Sequence, residues 1–193
     1  MRQFIYFSSK ARTSGAWKDL REAGRMDIVC NVILHTFFLS HHLRDDVCLH
    51  LVFYGPPTPP RHIELKLSKE SSVSKKDIGG LIKRILFKYR EGKKVEAFPG
   101  CFVEKKSFLD VVNELKNDGK KIYILDAKGK DIRKIKDNEL KGAVFILGDQ
   151  EGLPKKEIKR LKRDLGVVGV GNKTYFASQV ITIINNELDR REE

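Results

Sequence analysis

The sequence predicts an α/β fold with a mostly parallel sheet flanked by helices, and three observations carry that prediction. From Lys121 onward, short apolar runs at residues 122–125, 143–147 and 167–170 alternate with helically spaced segments at 155–165 and 175–188. Strands that alternate with helices pair in parallel, because each helix carries the chain back across the sheet. Two of these strands run into glycine-bearing turns that open onto helices, Gly148-Asp149-Gln150-Glu151-Gly152 and Gly169-Val170-Gly171. Turns beyond the carboxyl ends of parallel strands are where α/β proteins hold ligands, and two of them on adjacent strands predict one pocket.

The earlier elements follow the same reasoning in order. Residues 2–8 contain Phe4, Ile5, Tyr6 and Phe7 and predict a first, central strand. Residues 9–25 are polar and rich in Arg, Lys, Ser and Gly, a loop ending in Gly24-Arg25-Met26-Asp27. Ile28, Val29, Val32, Ile33, Thr36, Phe37 and Phe38 then recur at helical spacing over a broad face, which predicts a well-buried first helix. Residues 47–54 predict a second strand, closed by the rigid break Gly55-Pro56-Pro57-Thr58-Pro59-Pro60. Residues 61–67 alternate Ile63, Leu65 and Leu67 with His62, Glu64 and Lys66, as an edge or hairpin strand would. Ile78, Leu81, Ile82, Ile85, Leu86 and Tyr89 mark an amphipathic helix, with Lys83, Arg84, Lys88 and Arg90 on its outer face. A further helix over 108–115 is entered through Ser107 as N-cap and ends near Asp118-Gly119.

A chain of 193 residues, 40% of them hydrophobic, suffices for one buried core and is short for two. We therefore expect one domain over residues 1–193, with a small insertion around 56–100. The longest apolar run, residues 26–39, is interrupted by Asp27, Asn31 and His35, whereas a membrane helix needs about 18 uninterrupted residues. The N-terminus also lacks a signal-peptide layout. A cytoplasmic protein with no membrane partner is expected. Cys30, Cys48 and Cys101 form no Cys-x-x-Cys pair and read as small buried apolar residues. His41 and His42 are sequence neighbours whose side chains diverge on a helix end. No metal is expected.

Lys and Arg outnumber Asp and Glu by 38 to 26, a net charge of +12 that favours a polyanionic partner, RNA or DNA. The high charged fraction also suits stability at high temperature, but that leaves the positive excess unexplained. The basic outer face of the 78–89 helix is a candidate RNA contact. The familiar nucleotide signatures fail: Gly169-Val170-Gly171 is followed by Thr174 where the dinucleotide pattern needs Gly or Ala, and Asn172 separates Gly171 from Lys173 where a P-loop needs them adjacent. Neither ordinary NAD nor ATP binding is supported.

The segment Leu147-Gly148-Asp149-Gln150-Glu151-Gly152, the basic helix after it, and the glycine-bearing strand leading into residues 175–189 resemble the C-terminal half of SPOUT methyltransferases. In the N-terminal half, Gly24-Arg25-Met26-Asp27, Phe37-Phe38-Leu39-Ser40-His41 and Arg44-Asp45-Asp46-Val47 are similar to the archaeal tRNA pseudouridine-54 N1-methyltransferases, and the likeness runs from Arg2 to about Asp189. The resemblance implies a C-terminal trefoil knot, a rare exception to the unknotted rule, which holds S-adenosylmethionine in a bent shape. It also implies methyl transfer to N1 of pseudouridine in the T-loop of tRNA and a homodimer whose substrate site spans both subunits. The ribose-methylating branch carries Asn-x-x-Gly-x-x-x-Arg after an early strand, which has no counterpart here. One departure is the last helix, which in the family often reads Ser or Asn, His, Cys, and here reads Ser178-Gln179-Val180. Any mechanism that needs a thiol there is unavailable to this chain, whereas backbone contacts to the cofactor are not affected.

Carried residue by residue, the resemblance implies cofactor contacts at Leu125, Leu147, Gly148, Asp149, Gly152, Gly169, Val170, Gly171, Thr174, Tyr175 and Val180. Asp27 is the first candidate for the base that removes the N1 proton, with Arg25 beside it to hold a phosphate or orient the nucleobase; Asp149 and Glu151 are the alternatives. An acidic residue in a first helical turn also simply suits the helix dipole. Arg12, Lys83, Arg84, Lys88, Lys156 and Arg160 are candidates for phosphate contact, where positive charge matters more than residue identity. Two rival functions share these features: a knotted RNA-binding factor without transfer activity, and an enzyme acting on pseudouridine in ribosomal RNA.

Overall fold

In the computed structural model, which describes residues 1–68, 71 and 73–192, the strand expected to be central is central. In chain order the elements are β1 (Arg2–Ser8), α1 (Met26–Phe37), β2 (Val47–Phe53), β3 (Arg61–Leu65), α2 (Ile78–Phe87), β4 (Val95–Phe98), β5 (Cys101–Glu104), α3 (Phe108–Asn117), β6 (Ile122–Asp131), α4 (Asp137–Leu140), β7 (Val144–Gly148), α5 (Lys155–Leu161), β8 (Gly166–Gly169) and α6 (Ala177–Asp189). Among the described residues the strands form one sheet in the order β4-β5-β3-β2-β1-β7-β6-β8. The five strands β2, β1, β7, β6 and β8 run in parallel, and β3, β5 and β4 extend the sheet antiparallel.

All seven residues of β1 are buried, which requires cover on both faces. Phe4 and Tyr6 pack into the core under α1, α2 and α6, with Val32, Ile33, Ile82, Ile85, Ile181 and Ile184. Ile5 and Phe7 point to the opposite face, where Phe108, Val111 and Val112 of α3 and Leu161 of α5 cover them. The layers are thus helix, sheet, helix, and each large apolar side chain buried between them contributes about 1.5–3 kcal/mol. The helix α3 is capped as the sequence predicts. Ser107 Oγ accepts from the Asp110 N–H at 3.2 Å, and Asp110 Oδ2 accepts from the Ser107 N–H at 3.3 Å.

Three expectations are corrected, and one pair of strands was not expected. Residues 61–67 take the hairpin alternative and are not an edge: β3 pairs antiparallel with β2 and lies between β2 and β5. The pair β4 and β5 has four residues in each strand, too few to show alternation, and its turn needs Gly100, whose φ of 74° and close approach to the Lys66 carbonyl exclude a side chain. The strands β7 and β8 are not adjacent, because β6 lies between them. The strand β6 is also longer than residues 122–125. It bulges after Leu125 and rejoins β8 through Lys130 and Asp131, with Gly129 lying against the Val168 backbone where no Cβ would fit.

The N-terminal strand is tied to the C-terminal helix by a buried cation. Arg2 Nη1 donates to Asp189 Oδ1 at 2.8 Å and to the Asn185 carbonyl at 3.2 Å, and its Nη2 lies 2.7 Å from Asp46. Arg44 Nη1 donates to the same Asp189 oxygen at 2.8 Å. The guanidinium of Arg2 therefore keeps partners on three sides, the condition under which a buried charge is tolerated.

On the sheet face away from α2 lies a buried polar chain. His62 Nδ1 is 3.1 Å from Glu104 Oε1, His50 Nδ1 is 3.0 Å from His62 Nε2, and His50 Nε2 is 3.0 Å from the Gln3 side-chain amide and 3.5 Å from Cys48 Sγ. An ionised carboxylate only accepts, so His62 Nδ1 carries the hydrogen shared with Glu104. Burial pushes His50 down to about 3 and His62 below its ordinary value, and the neighbouring ring adds to the depression at His50. Lys66, Lys94 and Lys106, paired with Glu64 and Glu104, surround these rings.

Unfolded histidine takes up its proton near pH 6.5. Below that pH the unfolded chain binds protons that the folded rings refuse, so stability falls as the pH falls. Between pH 6.5 and 5 the expected loss is roughly 2 kcal/mol from His50 alone, with His62 acting in the same direction, measured by urea unfolding at pH 7 and pH 5. Unchanged stability across that range would mean that the rings charge in place.

Candidate active site

The bulge of β6 after Leu125 and the carboxyl ends of β7 and β8 open into a cleft of about 900 Å3. The turn after β7 forms its floor. Asp149 donates its N–H to the Phe7 carbonyl at 3.0 Å, and its own carbonyl accepts from Gly152 N–H at 2.9 Å. The Asp149 carboxylate accepts from Ser8 Oγ and Ser9 N–H, each at 2.9 Å, and from Glu151 N–H at 2.9 Å. It thereby bolts the β7 turn to the end of β1. Gly148 has no room for a side chain, since a Cβ would lie 2.7 Å from the Gly152 carbonyl carbon, and Gly152 itself has a φ of 82°.

A second wall comes from the loop before α1. Gly24 and Arg25 are both left-handed, with φ of 73° and 64°, and a Cβ on Gly24 would collide with the Lys10 carbonyl. Arg25 is the sole non-glycine residue with positive φ among those described, a conformation that costs about 1–2 kcal/mol and is retained chiefly at functional sites. Its side chain reaches the cleft and is gripped by Asp27, with Nε to Oδ1 and Nη2 to Oδ2 both at 3.0 Å. The bidentate guanidinium holds the Asp27 carboxyl below the usual carboxylate range. Tyr6, buried beneath and facing Asp149 and Asp27, is pushed well above the usual phenol range, first by burial and then by those charges, so its hydroxyl stays protonated.

Leu125, Leu147, Gly148, Asp149, Gly152, Gly169, Val170, Gly171, Thr174, Tyr175 and Val180 all line this one cleft, together with Arg25. Asp27 is not among the lining residues and reaches the cleft through Arg25. Glu151 lies at the exposed side of the turn, paired with Lys10 at 2.6 Å. Sequence reasoning missed Ile28 from α1, Leu153 and Ile158 from the turn and α5, and the cations Lys155, Lys159, Lys162 and Lys173. Their spacing along α5 holds the signal: Lys155, Ile158, Lys159 and Lys162 fall on one helix face, whereas the expected Lys156 and Arg160 are exposed and do not line the cleft.

The other basic candidates lie away from the cleft. Lys83 donates to the Trp17 carbonyl at 2.8 Å and packs over its ring, Arg84 pairs with Asp77 at 2.9 Å, and Lys88 sits 4.8 Å from the Phe98 ring centre. Arg12 is half-buried in the loop before α1.

A cleft walled by glycine backbone and by Leu125, Leu147, Leu153, Ile158 and Val180, with cations at its rim, suits a flat apolar ring system attached to polar groups. Over residues 1–193 the chain matches the family model described as "Putative SAM-dependent RNA methyltransferase". The chain belongs to this family. Curated relatives are named tRNA (pseudouridine(54)-N(1))-methyltransferase. That of Methanococcus aeolicus is 39% identical, with 98% of each chain covered, and that of Thermococcus gammatolerans is 36% identical, covering 98% of this chain and 97% of the relative. A crystal structure of Archaeoglobus fulgidus Nep1 bound to S-adenosylhomocysteine superposes with a TM-score of 0.61 at 16% identity, covering 92% of this chain and 76% of that one, which speaks to the fold.

The Asp149 clamp generates a test. Asp149→Asn removes the charge from several hydrogen bonds and places an NH2 group opposite donors, which should cost about 1.5–3 kcal/mol for each charged bond that is lost. S-adenosylhomocysteine affinity, measured by calorimetry, should fall at least tenfold because the floor of the cleft loses its shape.

Proposed function

We infer that this protein transfers the methyl group of S-adenosylmethionine to N1 of pseudouridine 54 in the T-loop of tRNA. The carrying observation is that Arg25, held by Asp27, meets the β6 bulge and the glycine-framed ends of β7 and β8 in one cleft, in a chain matched end to end by relatives of that name. The net charge of +12 suits an RNA substrate.

The residues present fit the cofactor. Gly148, Gly152, Gly169 and Gly171 let backbone approach it closely, while Leu125, Leu147 and Val180 supply an apolar seat for adenine. When bound, S-adenosylmethionine supplies an electrophilic methyl group on a sulfonium sulfur. The protein's own task is to place N1 in line and to favour loss of its proton. The cleft-lining carboxylates Asp126 and Asp149 are engaged, Asp126 by Lys162 at 2.6 Å and by the Lys128 N–H, and Asp149 by the clamp. Both oxygens of Asp27 are held by Arg25. Arg25 is therefore the group that acts on the base, its positive charge stabilising the N1 anion as the proton passes to water, and Asp27 is the positioning residue that aims it. Positioning supplies much of the remaining acceleration.

The family likeness supports a C-terminal trefoil knot, and the pairing of β6 with β8 on both sides of the bulge after Leu125 is compatible with it. The family likeness supports a homodimer working in the cytoplasm.

Labelled S-adenosylmethionine with T-loop RNA carrying uridine or pseudouridine tests the assignment. Transfer only to the pseudouridine RNA is expected; cofactor binding without transfer to either would move the target to ribosomal RNA, and no cofactor binding would leave an RNA-binding factor. Asp27→Asn should lower kcat by up to about 100- to 1,000-fold, the scale of a lost electrostatic contact, with S-adenosylhomocysteine affinity within about twofold of the parent.

A further inference from the structure

Four large apolar side chains are exposed among the described residues, Met1, Phe87, Tyr175 and Phe176. Two of them are neighbours in sequence and both line the cleft. Phe176 is 78% exposed, yet its backbone is fixed: its N–H donates to Gln179 Oε1 at 3.0 Å at the entry to α6. A ring kept in water on a fixed backbone position gains nothing for the fold. The same cleft is lined by the cations Lys155, Lys159, Lys173 and Arg25. Exposed aromatic faces set among cations along a groove are how proteins hold unpaired nucleic-acid bases, since every base has a face to stack and a phosphate to neutralise. An enzyme that modifies a base must also bring bases out of their stack, and a protein ring replaces part of the stacking lost.

We propose that the Phe176 ring is a stacking platform for an unpaired nucleobase of the RNA at the mouth of the cleft. This rests on the RNA methyltransferase reading above. The ring binds substrate and takes no part in the transfer, so its loss weakens RNA binding without slowing the chemical step.

The test compares the full chain with Phe176→Ala and Phe176→Trp, using pseudouridine-containing T-loop RNA. Phe176→Ala should raise the RNA KM about 5- to 150-fold, the range of base–aromatic stacking measured by alanine substitution, while kcat and S-adenosylhomocysteine affinity change less than about twofold. Phe176→Trp should restore KM. Carried with Trp17→Phe, which removes the one native tryptophan, its indole fluorescence should be quenched when RNA is added to the protein saturated with S-adenosylhomocysteine. An unchanged KM in Phe176→Ala overturns the proposal. So does a parallel loss of S-adenosylhomocysteine affinity, which would place the ring in the cofactor site, or a change in sedimentation, which would place it between two copies. Should the wild-type chain methylate no RNA, the functional reading fails, and RNA-induced quenching still decides the ring: its presence upholds the platform and its absence removes it.

Discussion

The carboxylate of Asp149 is the joint on which the cleft hangs. Two strands that enter the site from different parts of the chain, β1 and β7, end side by side, and their loops must diverge immediately to leave space between them. Asp149 holds that divergence by accepting from Ser8 and Ser9 on one strand end and from Glu151 on the other. Its burial raises the cost of leaving any of these donors unpaired. The glycines then follow as a requirement, since Gly148 has no room for a Cβ against Gly152. The second wall is set from the same place: the loop leaving β1 after Ser9 folds back through Gly24 to deliver Arg25.

Charge in this molecule does three separate kinds of work. Arg2, buried with carboxylates on several sides, fastens α6 to β1. The histidine chain and its lysine and glutamate rim give the antiparallel extension a polar face that is satisfied internally. At the cleft, the α5 lysines Lys155 and Lys159 are exposed, as is Arg25 in its pair with Asp27. The positive excess in the composition does not distinguish these roles. Lys83, Arg84 and Lys88, which the sequence offers as RNA contacts, are occupied by Trp17, Asp77 and Phe98.

Much of the site is legible in the sequence because its chemistry is local. A glycine that must follow a strand and a helix that must begin after it lie within a few residues of each other, so Gly148, Gly152, Gly169 and Gly171 mark the cleft without any structure. Arg25 and Asp27 are two residues apart, close enough for their pairing to be anticipated. What was missed depends on helix phase and on distance in the chain: the lysines on the inner face of α5, Ile28 of α1, and the exposed ring of Phe176 all face a space whose other walls come from elsewhere. The carboxylates are hard to tell apart for the same reason. Asp27 and Asp149 look alike as candidate bases until their partners are known.

By itself the sequence determined the α/β class, the central first strand, the apolar faces of α1 and α2, the capped start of α3 and the place of the two glycine turns, since each is written in short-range periodicity or in the backbone freedom of single residues. Only the tertiary structure decided that β6 lies between β7 and β8, that β3 is internal, that four-residue strands complete the sheet, and which cations face the cleft. Those are matters of pairing between distant segments, where many partners satisfy the same local pattern and the choice is made by the packing of the whole core.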